Sequence, residues 1–152
     1  IYGFTEKYYP DLVRKLVALY KKGDKQEAEK IAKEQAKKLY WDAISCDNLP
    51  SKLDIVIADT AFNQGISVAK KVLNETAKDC LMVFDKIRIN LSNELRQELE
   101  NKFVWIIAII KRSDYYDDLK AYDRFGRGWN KRLISLYDYL LSDYKELKYD
   151  WN

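Results

Sequence analysis

Only five glycines and two prolines punctuate 152 residues. An all-β sandwich needs a turn signal every 8–12 residues or so, which this chain does not supply. Its 47% hydrophobic content is too high for a disordered chain. At this length a single domain buries roughly 70% of its unfolded surface without a disulfide or metal staple. The fold class that remains is all-α, one helical domain over residues 1–152.

Between the breakers, apolar residues recur at three and four positions, the helical period. Leu12, Leu16, Leu19 and Tyr20 mark a helix from Asp11 to Lys22, bounded by Pro10 and Gly23. Asp24 is expected to cap the next helix, with Ala28, Ile31, Ala32, Gln35, Leu39 and Tyr40 on its inner face. Lys25, Lys30, Lys33, Lys37 and Lys38 fall elsewhere, as a wet side would. After a loop from Ser45 to Pro50, Ser51 and Asp54 read as a capping box that opens a helix from Lys52 to Gln64. That helix is apolar nearly all round and is expected to be the buried central one, ending at Gly65. Ile66, Ala69, Val72 and Leu73 give another helix.

Thr76 to Asn90 suits a helix or a short strand and is read as mostly helical. Ser92 caps a long helix from Asn93 through Lys111 toward Leu119, with Leu95, Leu99, Phe103, Ile106, Ile107 and Ile110 inward. Phe125 to Gly128 is expected to break it. Trp129 to about Leu147 then forms the last helix, with Leu133, Leu136, Tyr137, Leu140 and Leu141 facing in.

Composition excludes several chemistries. A net charge of +3 is far from the basic bias of a dedicated nucleic-acid binder. The absence of histidine removes Ser-His-Asp and Cys-His catalysis and histidine-bearing zinc sites, leaving acid–base work to carboxylates or tyrosines. Cys46 and Cys80 lie too far apart for a CxxC motif and are expected to be buried free thiols. No metal or other cofactor is expected. The longest apolar run, Phe103 to Ile110, falls well short of the ~20 residues of a membrane span.

Asp59 is the most unusual position, a carboxylate inside the apolar helix with Asn63 four residues on and hence on the same face. A carboxylate so placed must be hydrogen-bonded or charge-paired. Two readings follow: Asp59 and Asn63 wall a substrate cleft, or Asp59 holds a neighbouring loop or pairs with an arginine such as Arg132. Residues Arg124 to Arg132 combine Gly126, Gly128, Trp129 and four cations, either a cationic–aromatic surface that stacks on sugars or bases or a tight turn with Trp129 in the core. Tyr40, Trp41 and Asp42 invite the same two readings.

Taken in order, several segments resemble one family. Tyr2-Gly3-Phe4-Thr5, Tyr9-Pro10-Asp11-Leu12, Tyr40-Trp41-Asp42, Cys46-Asp47-Asn48-Leu49-Pro50, Asp59-Thr60-Ala61-Phe62-Asn63-Gln64-Gly65 and Gly128-Trp129-Asn130-Lys131-Arg132 look like glycoside hydrolase family 108, the phage- and secretion-associated muramidases. The resemblance implies a lysozyme-like helical fold that cleaves the N-acetylmuramic acid to N-acetylglucosamine bond of peptidoglycan, at the bacterial cell wall or periplasm. It implies glycan strands as partners, with a lysozyme-like part over roughly residues 1–75 and a peptidoglycan-binding-like part over roughly 76–152. Tyr2, Tyr40, Trp41, Asp59 and Asn63 would line or support the sugar groove; Gly65, Gly128, Trp129 and Arg132 would be structural.

The family's catalytic acid is the glutamate of a Glu-Gly-Gly motif, whose counterpart would precede Ile1, so no catalytic residue is assigned within this chain. The family's Asp-Gly and Gly-Pro turn after the position of Leu73 has no equivalent here. Glycosidic cleavage needs a protonated carboxylic acid and a second group across the cleft. Asp42 and Asp47 are expected at a helix end and in a loop, and Asp59 is assigned to positioning. The alternative to a muramidase is a non-catalytic secretion-helper or wall-interaction protein with the same fold.

Overall fold

A computed structural model of the chain describes residues 1–86 and 92–142. Its regular elements are all helical, consistent with a lysozyme-like class. They are α1 (Pro10–Lys21), α2 (Lys25–Ala36), α3 (Leu53–Gln64), α4 (Ile66–Lys86), α5 (Asn93–Asp117) and α6 (Tyr122–Leu141). A π-helical turn at Lys37–Trp41 and 3₁₀ turns at Asp42–Ile44 and Cys46–Asn48 link α2 to α3. The chain gathers into two compact units, Ile1–Ser45 and Cys46–Asn152. No helix among the described residues is long and apolar enough to cross a membrane.

In the first unit α1 packs on α2. Leu16, Val13, Phe4, Ala28 and Ala32 form its core, and the small alanines allow the two helices to approach closely. Val13 takes the inward place expected of Tyr20, which is exposed and carries the Lys25 ammonium over its ring at 4.9 Å. The lysines of α2 are all exposed, as their spacing implied. Asp24 precedes α2 but its side chain makes no capping hydrogen bond.

In the second unit α3 packs on α4 and α5, and α5 packs on α4 and α6. Leu53, Val56, Ile57, Thr60 and Ala61 are the buried positions of α3, so it shows one apolar face and not the fully apolar circumference read from sequence. Its entry also differs. Lys52 occupies the N-cap position at φ 72°, neither Ser51 nor any other side chain caps the helix, and the Asp54 carboxylate accepts from the Ile55 amide at 2.7 Å. The Lys52 ammonium donates to the Leu140 carbonyl at 2.6 Å, a tertiary bond that overrides the local capping pattern.

The segment from Ile66 is one continuous helix through Lys86, so the helical reading of Thr76 onward holds to that point; Ile87 and Ile89 lie outside the described residues. Thr60 and Thr76 bury their hydroxyls by donating to the Val56 and Val72 carbonyls one turn back, at 2.6 and 2.7 Å. Cys46 and Cys80 are buried and not bonded to each other, and burial raises the Cys80 thiol above its ordinary pKa.

Ser92 caps α5 as expected, accepting from the Leu95 amide at 3.3 Å. The inward face of α5 differs from the expected one. Leu95, Phe103 and Ile110 are exposed, whereas Trp105, Ala108, Arg112 and Tyr116 are buried at helical spacing. An arginine within that row disguises it from any count of apolar residues. Burying one large apolar side chain contributes about 1.5–3 kcal/mol, so Trp105 alone biases the helix toward this rotation. Lys111 joins α5 to α4 through an ion pair with Asp79 at 2.5 Å.

The break expected at Phe125–Gly128 is absent. The chain turns at Asp118–Ala121, where the Leu119 carbonyl accepts from the Tyr122 amide at 2.8 Å, and α6 then runs through both glycines. A helical glycine costs only about 1 kcal/mol, which burial of Leu133 and Leu140 outweighs. The remainder of the last helix, as read to Leu147, lies outside the described residues. The two glycines differ in what they permit. A methyl group at Gly126 would sit 2.6 Å from the Tyr122 ring, while one at Gly128 meets nothing within 4 Å. The Tyr122 hydroxyl, lying past Gly126, accepts from the Asn130 amide at 2.9 Å. Gly126→Ala is therefore expected to lower stability by about 1 kcal/mol through overpacking. Gly128→Ala should raise it by about 0.5–1 kcal/mol. Thermal unfolding of the two variants checks the pair, and equal effects would refute the steric account.

Candidate functional site

Of the sequence-predicted site residues, Tyr2, Tyr40 and Trp41 belong to the first unit. Tyr2 and Gly3 sit at φ 49° and 83° in a turn closed by the Phe4 amide on the Ile1 carbonyl at 2.9 Å, with the Tyr2 side chain exposed. Positive φ at both central positions is the type I′ pattern. Phe4, buried below, meets Tyr9 edge-on at 5.3 Å and Tyr40 in a stacked arrangement at 6.5 Å.

Tyr40 and Trp41 end the π-helical turn, in which the Asp42 amide donates to the Lys37 carbonyl five residues back. The Asp42 carboxylate is ion-paired with Lys37. Single π turns within helical stretches often occur at functional sites. The Tyr9 and Tyr40 hydroxyls share a hydrogen bond of 2.8 Å. Burial, reinforced by that hydrogen bond, pushes the Tyr40 phenol above its ordinary pKa of 10.0. The folded state then holds a proton that the unfolded chain releases, so this contribution is intact below pH 10 and is lost as pH rises beyond it. Tyr40→Phe is expected to flatten the loss of stability on the alkaline side of pH 10, read from denaturant midpoints across pH. An unchanged slope would show that the buried phenol is not responsible.

The second unit holds Asp59, Asn63, Gly65, Gly128, Trp129 and Arg132, and most of them converge. Asp59 Oδ2 accepts from Arg112 Nη1 at 2.5 Å, and Oδ1 faces Arg132 Nε at 3.7 Å. The Asn63 amide donates to Asp59 Oδ1 at 2.9 Å and to the Asp59 carbonyl at 2.7 Å, as residues four apart on one helix can. Asp59 is not sealed in the interior, since its side chain retains 26% exposure. The arginine pairing read from sequence is therefore real, but its closer partner is Arg112, whose side chain is fully buried.

Arg112 Nε donates to the Tyr116 hydroxyl at 3.2 Å, and its Nη2 has no hydrogen-bond partner. Tyr116 stacks on Trp129 at 5.1 Å and 21°, and Trp129 leans on Phe125 at 6.0 Å. Around this cluster lies a cavity of about 300 Å³ lined by Asn63, Gln64, Tyr115, Tyr116, Leu119, Trp129 and Arg132. Three helices and a turn supply its walls: α3 the two amides, α5 the two tyrosines, the turn after α5 Leu119, and α6 the indole and guanidinium. Among the described residues, neither polar atom of the buried Gln64 carboxamide has a hydrogen-bond partner.

Gly65 makes this geometry possible. Its φ of 93° and ψ of 161° stop α3 directly after Gln64 and start α4 at Ile66. That region of backbone space is essentially open to glycine alone. Gly128 and Trp129 are not at a turn but inside α6, and Gly128 lies against no neighbouring atom that a methyl group would meet.

Arg112, Gln64 and Tyr116 escaped the sequence reading. The available signal was an arginine in register with Trp105, Ala108 and Tyr116. Gln64 carried no signal apart from its position between Asn63 and Gly65.

Residues 1–65 match the family model described as Glycosyl hydrolase 108. The matched span takes in every resembling segment except Gly128–Arg132. No curated protein and no solved structure matches the chain.

Proposed function

From the match of residues 1–65 to the model described as Glycosyl hydrolase 108, we propose that the protein is a peptidoglycan hydrolase of the muramidase type, acting at the bacterial cell wall on the N-acetylmuramic acid to N-acetylglucosamine bond. The family match is the observation that carries this reading. The aromatic and amide-rich surfaces support it, because sugar faces pack on aromatic rings while their hydroxyl and acetamido groups need hydrogen-bond partners. Tyr2, Tyr40 and Trp41 in one unit, and Asp59 and Asn63 in the other, are assigned to contacting sugars or supporting those that do.

Asp59 is a positioning residue. Both of its oxygens are committed to Arg112, Arg132 and Asn63, an arrangement suited to holding α3, α5 and α6 in place and not to delivering a proton. Asp42 is likewise paired, with Lys37, and its side chain is half exposed. The catalytic acid is accordingly assigned to neither Asp42 nor Asp59.

Incubation of the protein with purified peptidoglycan, followed by identification of the new reducing ends, is the test. Muramic acid at those ends is the expected result, and release should persist in Asp59→Asn under conditions where the variant is folded. Glucosamine at the ends would reassign the bond. No release at all would overturn the hydrolase reading in favour of a secretion-helper or wall-interaction protein.

A further inference from the structure

We infer that a second cavity, between the start of α3 and the first half of α5, is a binding site for a phosphate group, met by the Trp105 indole N–H and the ammonium groups of Lys52 and Lys102. The site lies within the second unit and goes beyond the hydrolase reading, on which it does not depend. The cavity measures about 330 Å³. Ser51 and Lys52 line it at the entry to α3, and Glu98, Asn101, Lys102 and Trp105 line it from α5.

Trp105 is only 1% exposed, and among the described residues its indole nitrogen has no hydrogen-bond partner. Buried polar groups in folded proteins are almost always hydrogen-bonded, because an orphaned one costs about 1–3 kcal/mol. The neighbouring Tyr137 ring does not stand in for a partner. An N–H pointing at a ring face requires nearly perpendicular planes, and Tyr137 lies at 38° to the indole. Since an indole nitrogen only donates, the group that completes it is an acceptor.

Charge selects the kind of acceptor. The Lys52 ammonium stands 5.7 Å from the centre of the Trp105 ring and donates to the Leu140 carbonyl, while the Lys102 ammonium is paired with Glu98 at 2.6 Å. Two ammoniums against one carboxylate leave the wall net positive. The α3 helix begins at Leu53 with no side chain capping it, so the positive end of its dipole adds to the same sign. Ser51 and Asn101 contribute a hydroxyl and an amide donor.

A neutral carbonyl would satisfy the indole but gain little from this field, whereas an oxyanion gains from both. The donors belong to a helix entry and to the side of a second helix. A tetrahedral phosphate presents acceptors to both at once, while a carboxylate confines its acceptors to one plane. The volume lies at the small end of ligand sites and holds a phosphate with a short organic remainder.

The experiment is titration of the protein with inorganic phosphate and with glycerol 3-phosphate, followed through the indole N–H resonances of its four tryptophans. The Trp105 resonance should move and saturate, with a dissociation constant on the order of 1 mM at low salt. Sodium chloride at matched ionic strength should leave it in place. Tighter binding of glycerol 3-phosphate would identify an esterified phosphate as the ligand, and equal binding the free ion. Lys102→Met should weaken binding about fivefold, while Glu98→Gln should strengthen it by removing the one negative charge on the wall. Both side chains are half exposed, so neither change disturbs the core.

A Trp105 resonance that stays still, or that chloride moves as far as phosphate does, would overturn the inference. So would weaker binding in Glu98→Gln. An equal response to acetate would overturn the phosphate assignment in favour of a carboxylate.

Discussion

Asp59→Ala is expected to destabilise the second unit by about 3–5 kcal/mol, toward the lower end of that range. The cause is Arg112 more than Asp59. Its side chain is fully buried, and among the described residues its hydrogen-bond partners are the Asp59 carboxylate and the Tyr116 hydroxyl. Without Asp59 a guanidinium charge would remain inside the protein with no counter-charge at hydrogen-bond distance, a cost that cannot be relieved by losing a proton. The lower end applies because the Asp59 side chain is 26% exposed, so part of the pair is already hydrated.

The reverse change should be milder. Arg112→Met leaves Asp59 partly hydrated, still held by Asn63 and facing Arg132, while an apolar chain of similar length fills the buried row. Urea midpoints at constant denaturant dependence measure both. If Arg112→Met proved the costlier variant, the pair would not be organised around the burial of the arginine.

Gly65→Ala is expected to cost about 2–3 kcal/mol, the second largest effect, and for a different reason. A methyl group there would touch nothing within 4 Å, so no clash is involved. The penalty is conformational, because φ 93° with ψ 161° is closed to residues that bear a Cβ. The chain can relax only by rotating Gln64 and Asn63 or by unwinding the start of α4, and either motion disturbs the cavity wall. Urea midpoints of the variant measure the loss. Full stability would show that the backbone at this junction adapts.

Which features could be read from sequence follows the range of the forces involved. Helix ends at Gly23, Gly65 and Ser92 were legible because caps and breakers act over a few residues. The capping box at Ser51 and Asp54 was equally explicit and is not used, since Lys52 is held at positive φ with its ammonium on the Leu140 carbonyl. The break at Gly126 and Gly128 failed because two helical glycines are a weak local penalty against a packed face. On α5 the largest exposed apolar residues, Phe103 and Ile110, drew the predicted stripe away from the row that Trp105 and Tyr116 bury.

The candidate site divides in the same way. Asp59 and Asn63 announced themselves as polar residues four apart in an apolar run, and the family resemblance of the first 65 residues was legible as ordered motifs. The arginine that neutralises Asp59 was not, because Arg112 stands 53 positions away and its burial depends on α5 being rotated against α3. Helical class, helix ends and the family resemblance of residues 1–65 were thus legible in local sequence, the first two through backbone preferences and capping that need no distant partner. Which face of α5 turns inward, which arginine meets Asp59, and that Gln64 is left without partners beside a cavity were decided only in the tertiary structure, because burial and charge pairing belong to the packed assembly and to no single segment.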